Sequence, residues 1–364
     1  MSRSPATAPT APRPAPGGPP PAREPLPARL LRIALTERVA LLAVLLVVVV
    51  AVFWWQGRNQ YLVAPYDLPY LASALESMVP VCILAIAQLL VVVSGRGGID
   101  LSVGGIVSLA GMVFGFCVGP FGWATAPSVV VAVAAGALMG ALNGFLVAYV
   151  RFPALIATLA TSYAFGALAL LSNDNAPISD EPVQELHELT RSLAVPGVGD
   201  VPLQVLTFLV PVLVVAWLVL ARSTYGRSLY AVGTNDVAAL YATQPVRRTR
   251  FLAYVGSGLL AGVVAVVTVA QFASARPDAG SAGNGMALPA ITIAVLGGVA
   301  IQGGVGRVGG VVVAALLVTW LNAGILLAFE GSEGSRYQLL ALGLVLVLSA
   351  LLNTLALRRY GRIS

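Results

Sequence analysis

Ten apolar runs, most about twenty residues long and each ended by a polar break, dominate this chain. They lie near residues 38–56, 71–93, 101–118, 125–149, 154–172, 203–221, 250–271, 287–301, 308–328 and 337–357. About 20 apolar residues in a helix cross the hydrocarbon of a bilayer. The runs therefore predict an all-α, polytopic membrane helix bundle of about ten spans, the eighth short or re-entrant. Only 10% of the residues are charged against 58% hydrophobic, where a soluble domain carries about a quarter charged.

The arginines test the count. Cytoplasmic loops carry an excess of Lys and Arg. With ten spans and both termini inside, 17 arginines fall inside and four, Arg58, Arg191, Arg276 and Arg336, fall outside. Removing the eighth span would send the C-terminal cluster Arg358, Arg359 and Arg362 outside. The expectation is a bacterial plasma (inner) membrane protein with cytoplasmic termini. The net charge of +6 then sets orientation and gives no reason to invoke nucleic acid. All 21 basic residues are arginine. A P-loop of the form G-x-x-x-x-G-K-[ST] needs a lysine on the nucleotide phosphates, so an ATP site of that kind belongs on a separate chain.

Residues 1–28 hold ten prolines and predict a disordered cytoplasmic tail that cannot bury enough apolar surface to fold. Residues 29–364 form the membrane domain. Cys82 and Cys117 sit in apolar runs and read as small hydrophobic residues. His187 is the only histidine, so no multi-histidine metal motif is available. Gly111, Gly115 and Gly119, and again Gly136, Gly140 and Gly144, recur every fourth residue and predict close helix packing. The segment 173–202 carries Asp174, Asp180, Glu181, Glu185, Glu188 and Asp200 against one arginine. It reads as a solvated external loop or as a docking surface for an external partner.

Between the second and third spans runs Gly95-Arg96-Gly97-Gly98-Ile99-Asp100-Leu101-Ser102-Val103-Gly104-Gly105. Acids at membrane depth are costly and are functional candidates. Asp100 has two plainer readings, as a cap on the third span or as a partner of Arg96 or another inside arginine. Glu76 is the other acid that could lie at depth, or at the outer interface. Gly304-Val305-Gly306-Arg307-Val308-Gly309 matches G-x-G-x-x-G, but it lacks the preceding strand and βαβ unit that a dinucleotide site needs. It reads as a tight turn between spans eight and nine. Polar side chains within the apolar runs are Gln88, Asn143, Thr158, Thr161, Ser162, Gln271, Thr292 and Asn322. They bond helix to helix or line a polar path. Convergent acids, histidines and nucleophiles are too few for a membrane enzyme.

The longest arginine-studded interruption is Arg222–Arg250. Thr234 or Asn235 can cap a short helix there, with Asp236 opposing the helix dipole in its first turn. The apolar run Val237–Ala242 follows, and Pro245 is expected to stop it. Such an amphipathic helix rests on lipid headgroups or docks on a partner.

Four strings carry a resemblance. GGIDLSVGG at 97–105, GALNGFLVAYVRFPALIATLAT at 140–161, YGRSLYAVGTNDVAAL at 225–240 with PVRR at 245–248, and LGGVAIQGGVGRVGG at 296–310 followed by Asn322-Ala323-Gly324 appear in family order. Together they resemble the ABC-transporter permeases of the bacterial monosaccharide, ribose-type, translocator family, from about residue 60 to 357. The resemblance implies a bundle like that of type II ABC importers, built as a homodimer or heterodimer around a translocation path. It implies an external substrate-binding protein and a cytoplasmic ATPase subunit that binds ATP and Mg, with no catalytic residue, metal or cofactor on this chain. It places a coupling helix in the loop 222–250, with Gly233, Asn235, Asp236, Ala238, Ala239, Pro245, Arg247 and Arg248 at or near the ATPase contact. For the path or gate, Gln88, Asp100, Ser102, Asn143 and Asn322 are the candidates. Family members usually place a glycine and an aliphatic residue before the proline, where this chain has Thr243 and Gln244. The expected cargo is a ribose-like monosaccharide; a nucleoside, a branched-chain amino acid or a sugar-like signal molecule would suit the same machinery. An ion-coupled secondary transporter would need paired mid-membrane acids, for which only Glu76 and Asp100 are available. A membrane scaffold without transport is a further class.

Overall fold

The computed structural model describes residues 38–281, 285–329 and 331–360; the proline-rich tail 1–28 lies outside them. Helix α1 is Arg38–Arg58. Asp67 accepts from Tyr70 N and caps α2, Leu68–Ser73, which leads directly into α3, Leu75–Val93. Then follow α4, Val103–Val118, α5, Thr125–Phe145, and α6, Ala154–Leu171. Between the sixth and seventh spans lie α9, Thr224–Thr234, and α10, Asp236–Tyr241. They are preceded by the short α7, Glu181–Gln184, and by α8, Val210–Trp217. The chain continues through α11, Val246–Phe272, α12, Ala287–Leu296, α13, Val308–Ala328, and α14, Ser332–Tyr360.

Among the described residues seven helical stretches are long and apolar enough to cross a membrane. They are α1, α2 with α3, α5 with its π-turn, α6, α8 with its flanking π-turns, α11 and α13. Helices α4 and α12, at 16 and 10 residues, are shorter. The architecture is the all-α membrane bundle that the apolar runs predict, with a short eighth element. That helix ends at Gly297-Gly298. Gly298 takes φ +93, and a Cβ on Gly297 would come 2.7 Å from Val311 Cα on α13.

Burial ranks the spans. Of the most apolar window, 78% is buried for Leu68–Val93 and 72% for α11, against 11% for Val39–Arg58 and 17% for Val205–Arg222. Helices α3 and α11 are therefore the core, and α1 and α8 are peripheral. Glycine sets the closest approach to α11. A Cβ on Gly136 would stand 2.4 Å from Gly258 O, and one on Gly140 would stand 2.3 Å from Tyr254 O. The second glycine row thus lays α5 backbone to backbone on α11. The first row does otherwise. Gly115 of α4 and Gly119 just after it face Ala275, Ile178 and Asp180 in the connecting segments.

The 173–202 segment is more ordered than a solvated loop. Pro196-Gly197 turns a two-stranded antiparallel hairpin, β1 (Ser192–Val195) and β2 (Gly199–Pro202), with Ser192 opposite Pro202. Ile178 bridges Ala275, and Val183 and Leu186 join a buried cluster with Phe114 and Val118. Apolar residues spaced through a polar stretch fold it back on the bundle, while all six acids and His187 stay exposed. Glu76 is exposed as well, in keeping with an interfacial position.

Candidate functional site

Two polar constellations stand out in the bundle. The first is fully buried and centres on Asp100. One carboxylate oxygen accepts from Ser102 N at 3.0 Å and Ser102 Oγ at 2.5 Å, and the other from Ser257 Oγ at 2.7 Å. Gln88 on α3 clasps the same residue's backbone, donating to Asp100 O at 2.6 Å and accepting from Asp100 N at 3.3 Å. Asn143 on α5 donates to Ser102 Oγ at 2.7 Å and accepts from Thr161 Oγ1 on α6 at 2.6 Å. Thr158 accepts from Leu101 N at 3.1 Å. The loop before α4 is thereby bonded to α3, α5, α6 and α11. Gln88, Asp100, Ser102 and Asn143 come together here; Asn322 does not. It sits on α13, where its backbone carbonyl accepts from Gln338 Nε2 at 3.2 Å and its side-chain Oδ1 is buried without a partner among the described residues.

Buried polar groups in a membrane interior are tolerable when every one is bonded, and this carboxylate has three donors. The cap reading of Asp100 does not hold: Ser102 is the N-cap of α4, without a side-chain capping bond, and Asp100 accepts from the N–H of Ser102 itself, ahead of the helix. The pairing with Arg96 does not form, because Arg96 is engaged elsewhere. Ser257 carried no signal in the sequence. It lies among small residues of α11, and only the fold brings it to an acid 157 positions away.

The second constellation is the 222–250 stretch. It forms two helices rather than one, with Asn235 extended at the elbow (φ −159, ψ 102) and its Oδ1 accepting from Val237 N and Ala238 N at 3.1 and 3.0 Å. Asn235 is thus the cap. Helix α10 ends at Tyr241, ahead of Pro245, which instead precedes the first residue of α11. The reversal is made at Thr243, in the left-handed region at φ +60. A β-branched residue is strained there, where glycine would not be. Gln244 accepts from Ser228 Oγ at 2.7 Å and so ties the turn between α10 and α11 to α9.

Asp236 faces inward. Its Oδ2 lies 2.8 Å from Arg96 Nε and 3.7 Å from Arg250 Nη2, and Arg250 Nη2 donates to Ser94 O at 3.2 Å. Three glycine turns meet beside it. Gly304 N donates to Val93 O at 3.0 Å. A Cβ on Gly303 would stand 2.5 Å from Gly95 Cα, and one on Gly233 would collide with Val93 O. The G-x-G-x-x-G string is part of this junction, as a turn rather than a nucleotide loop. Tyr230 OH on α9 donates to Gly306 O at 2.7 Å, and Tyr225 OH to Thr249 O at 3.2 Å. Burial pushes both phenols above their ordinary pKa.

The opposite side of α10 is open. Val237, Leu240 and Tyr241 are exposed, Tyr241 at 86%, together with Ala238; Ala239 is buried against the bundle. Arg247 and Arg248 are exposed at the start of α11. The i, i+3, i+4 spacing of Val237, Leu240 and Tyr241 was the legible sign of this apolar face; Ala239 lies away from it, and Asp236, one turn before Leu240, borders it.

Comparison with known proteins agrees with this architecture. Residues 70–350 match the family model described as branched-chain amino acid transport system / permease component. The autoinducer 2 import system permease protein LsrD of Photorhabdus luminescens is 32% identical over 263 residues, covering 72% of this chain and 77% of the relative. The probable ABC transporter permease protein y4mJ of Sinorhizobium fredii is 32% identical over 294 residues, 80% of this chain and 83% of the relative. LsrD of Escherichia coli K12 is 34% identical over 263 residues, with coverage of 72% and 78%. No solved structure matches. The chain belongs to the sugar-type ABC-transporter permease family, as a multi-pass inner-membrane transport component.

Proposed function

We propose that this chain is the permease subunit of an ATP-driven importer, and that α10 is the helix through which the ATPase moves it. The observation that supports this most is the two-sidedness of α10. An exposed apolar face of Val237, Leu240 and Tyr241 is backed by Asp236, paired with arginines at the roots of two core regions. A helix merely resting on headgroups would have no need of that backing. A push on α10 would travel through Asp236 to Arg96 and Arg250, and through Gly233 to the turns at Gly95 and Gly303. The helices those turns join, α3, α4, α12 and α13, would tilt in response. The Asp100 network, which bonds the α4 entry to α3, α5, α6 and α11, would hold the closed arrangement until then. On this reading Gln88, Asp100, Ser102 and Asn143 form a gate or hinge rather than a wetted path.

The machine would comprise two permease chains, identical or paired with a second kind, an external binding protein, and an ATPase subunit that binds ATP and Mg at the end bearing α10. Both termini of this chain would be cytoplasmic. The cargo proposed is a monosaccharide or a sugar-like signal molecule. The relatives named for autoinducer 2 import favour the second over ribose itself. Co-purification and uptake test the assembly. Deleting residues 234–245 should abolish both ATPase capture and uptake in a protein still inserted in the membrane; unchanged capture and uptake would refute the coupling role. Competition for uptake between ribose and autoinducer 2, with the cognate binding protein present, decides the cargo.

A further inference from the structure

Beside α10 a cavity of about 230 Å³ is lined by Arg96, Arg151, Asp236, Arg247 and Arg250, with Val237 and Leu240 forming its α10 wall. A second, of about 160 Å³, shares Arg96, Arg151 and Arg250 and reaches Phe152 and Pro153. Four arginines thus face a single carboxylate. That carboxylate is already committed to Arg96 at 2.8 Å, so Arg250 receives only the longer contact at 3.7 Å. Arg250 is 4% exposed; its Nη2 donates to Ser94 O at 3.2 Å, and its Nε has no hydrogen-bond partner among the described residues. A guanidinium held that deeply without a full set of acceptors is expensive.

We propose that these cavities bind the phosphate group of an anionic phospholipid, with Arg250 at the floor and Arg96, Arg151 and Arg247 at the rim. Arginine forks match phosphate oxygens two at a time, and the surplus of positive charge suits an anion that carries negative charge beyond one paired carboxylate. The neighbourhood favours a lipid over a soluble phosphate. Phe145, Tyr149, Phe152 and Leu155 are all exposed on the helix ends flanking the cavities. An acyl chain would lie along that apolar surface while the headgroup sat at the level where anionic lipids attract arginine. The bound phosphate would tie α5, α6 and α11 to α10.

The inference is independent of the transport reading, because binding is read on the isolated full-length chain. Native mass spectrometry of the detergent-purified protein, given phosphatidylglycerol or phosphatidylcholine, is the test. The expected result is retention of phosphatidylglycerol at least tenfold above phosphatidylcholine. That retention should fall at least tenfold in the double variant Arg151→Gln/Arg247→Gln, whose two sites are exposed and so spare the fold. It should persist in Arg222→Gln/Arg227→Gln, outside the cavities. Equal retention of the two lipids, or undiminished retention in the first double variant, would overturn the proposal. Thermal protection by inorganic phosphate without phosphatidylglycerol retention would overturn the lipid assignment in favour of a soluble anion.

Discussion

The Asp236 carboxylate lies 2.8 Å from Arg96 Nε and bridges the first turn of α10 to the loop that opens α4. The same oxygen is 3.7 Å from Arg250, whose side chain is 5% exposed against 63% for Arg96. The two arginines should therefore respond differently to mutation. Arg96→Gln removes a largely exposed pair, a change of about 0–1 kcal/mol. Asp236→Asn strips the counter-charge from a buried guanidinium, a loss of about 3 kcal/mol. Thermal unfolding of the purified protein should show a clear drop for Asp236→Asn and little change for Arg96→Gln. Equal drops would mean that the buried partner is not what Asp236 serves.

Gly233 should tolerate no side chain. Its Cβ would overlap Val93 O and stand 2.5 Å from Gly304 N, both backbone atoms, whereas a Cβ on Gly309 meets nothing within 4 Å. Gly233→Ala is expected to lower membrane abundance and uptake together, and Gly309→Ala to leave both unchanged. The matched pair separates a packing effect from the smaller intrinsic change of replacing glycine.

Thr243→Gly should stabilise. Left-handed backbone costs a non-glycine residue about 1–2 kcal/mol, and the flexibility glycine adds to the unfolded chain returns about 0.5–1 kcal/mol of that. A net gain of about 0.5–1 kcal/mol is expected, seen as a higher unfolding temperature. Gln244→Ala, which removes the acceptor of Ser228 Oγ, should lose about 1 kcal/mol.

The buried network should be graded. Asn143→Ala leaves Thr161 Oγ1 with helix carbonyls of Ala157 and Thr158 to bond, so the protein is expected to insert normally and to import at an altered rate. Asp100→Asn places an amide group among the donors of Ser102 and Ser257, and should reduce membrane abundance as well. Normal uptake by Asn143→Ala would remove Asn143 from any gate.

Much of this was legible in the chain itself. Apolar run lengths and caps are local, so the spans and the Asn235 cap could be read residue by residue, and Gln88, Asp100, Ser102 and Asn143 stand out as polar groups in apolar surroundings. Partner choice was not legible. The Gly136–Gly140–Gly144 row announces a tight face but not that Gly258 will fill it, and Ser257 has no periodicity to mark it. Asp236 looked like an outward contact because a first-turn acid suits the helix dipole on any side. Only the convergence of Arg96 and Arg250, more than 150 residues apart, turns it inward. The hairpin of 192–202 was hidden by the run of acids before it, although its apolar residues and Pro-Gly turn were there to read.

The central claim is that the open face of α10 meets the ATPase. A photo-reactive residue at position 241, the 86% exposed end of that face, tests it in vesicles that retain substrate import with the partner ATPase and binding protein present. The account predicts a covalent adduct with the ATPase subunit. Adducts with lipid alone, in a transporter that still imports, would contradict it.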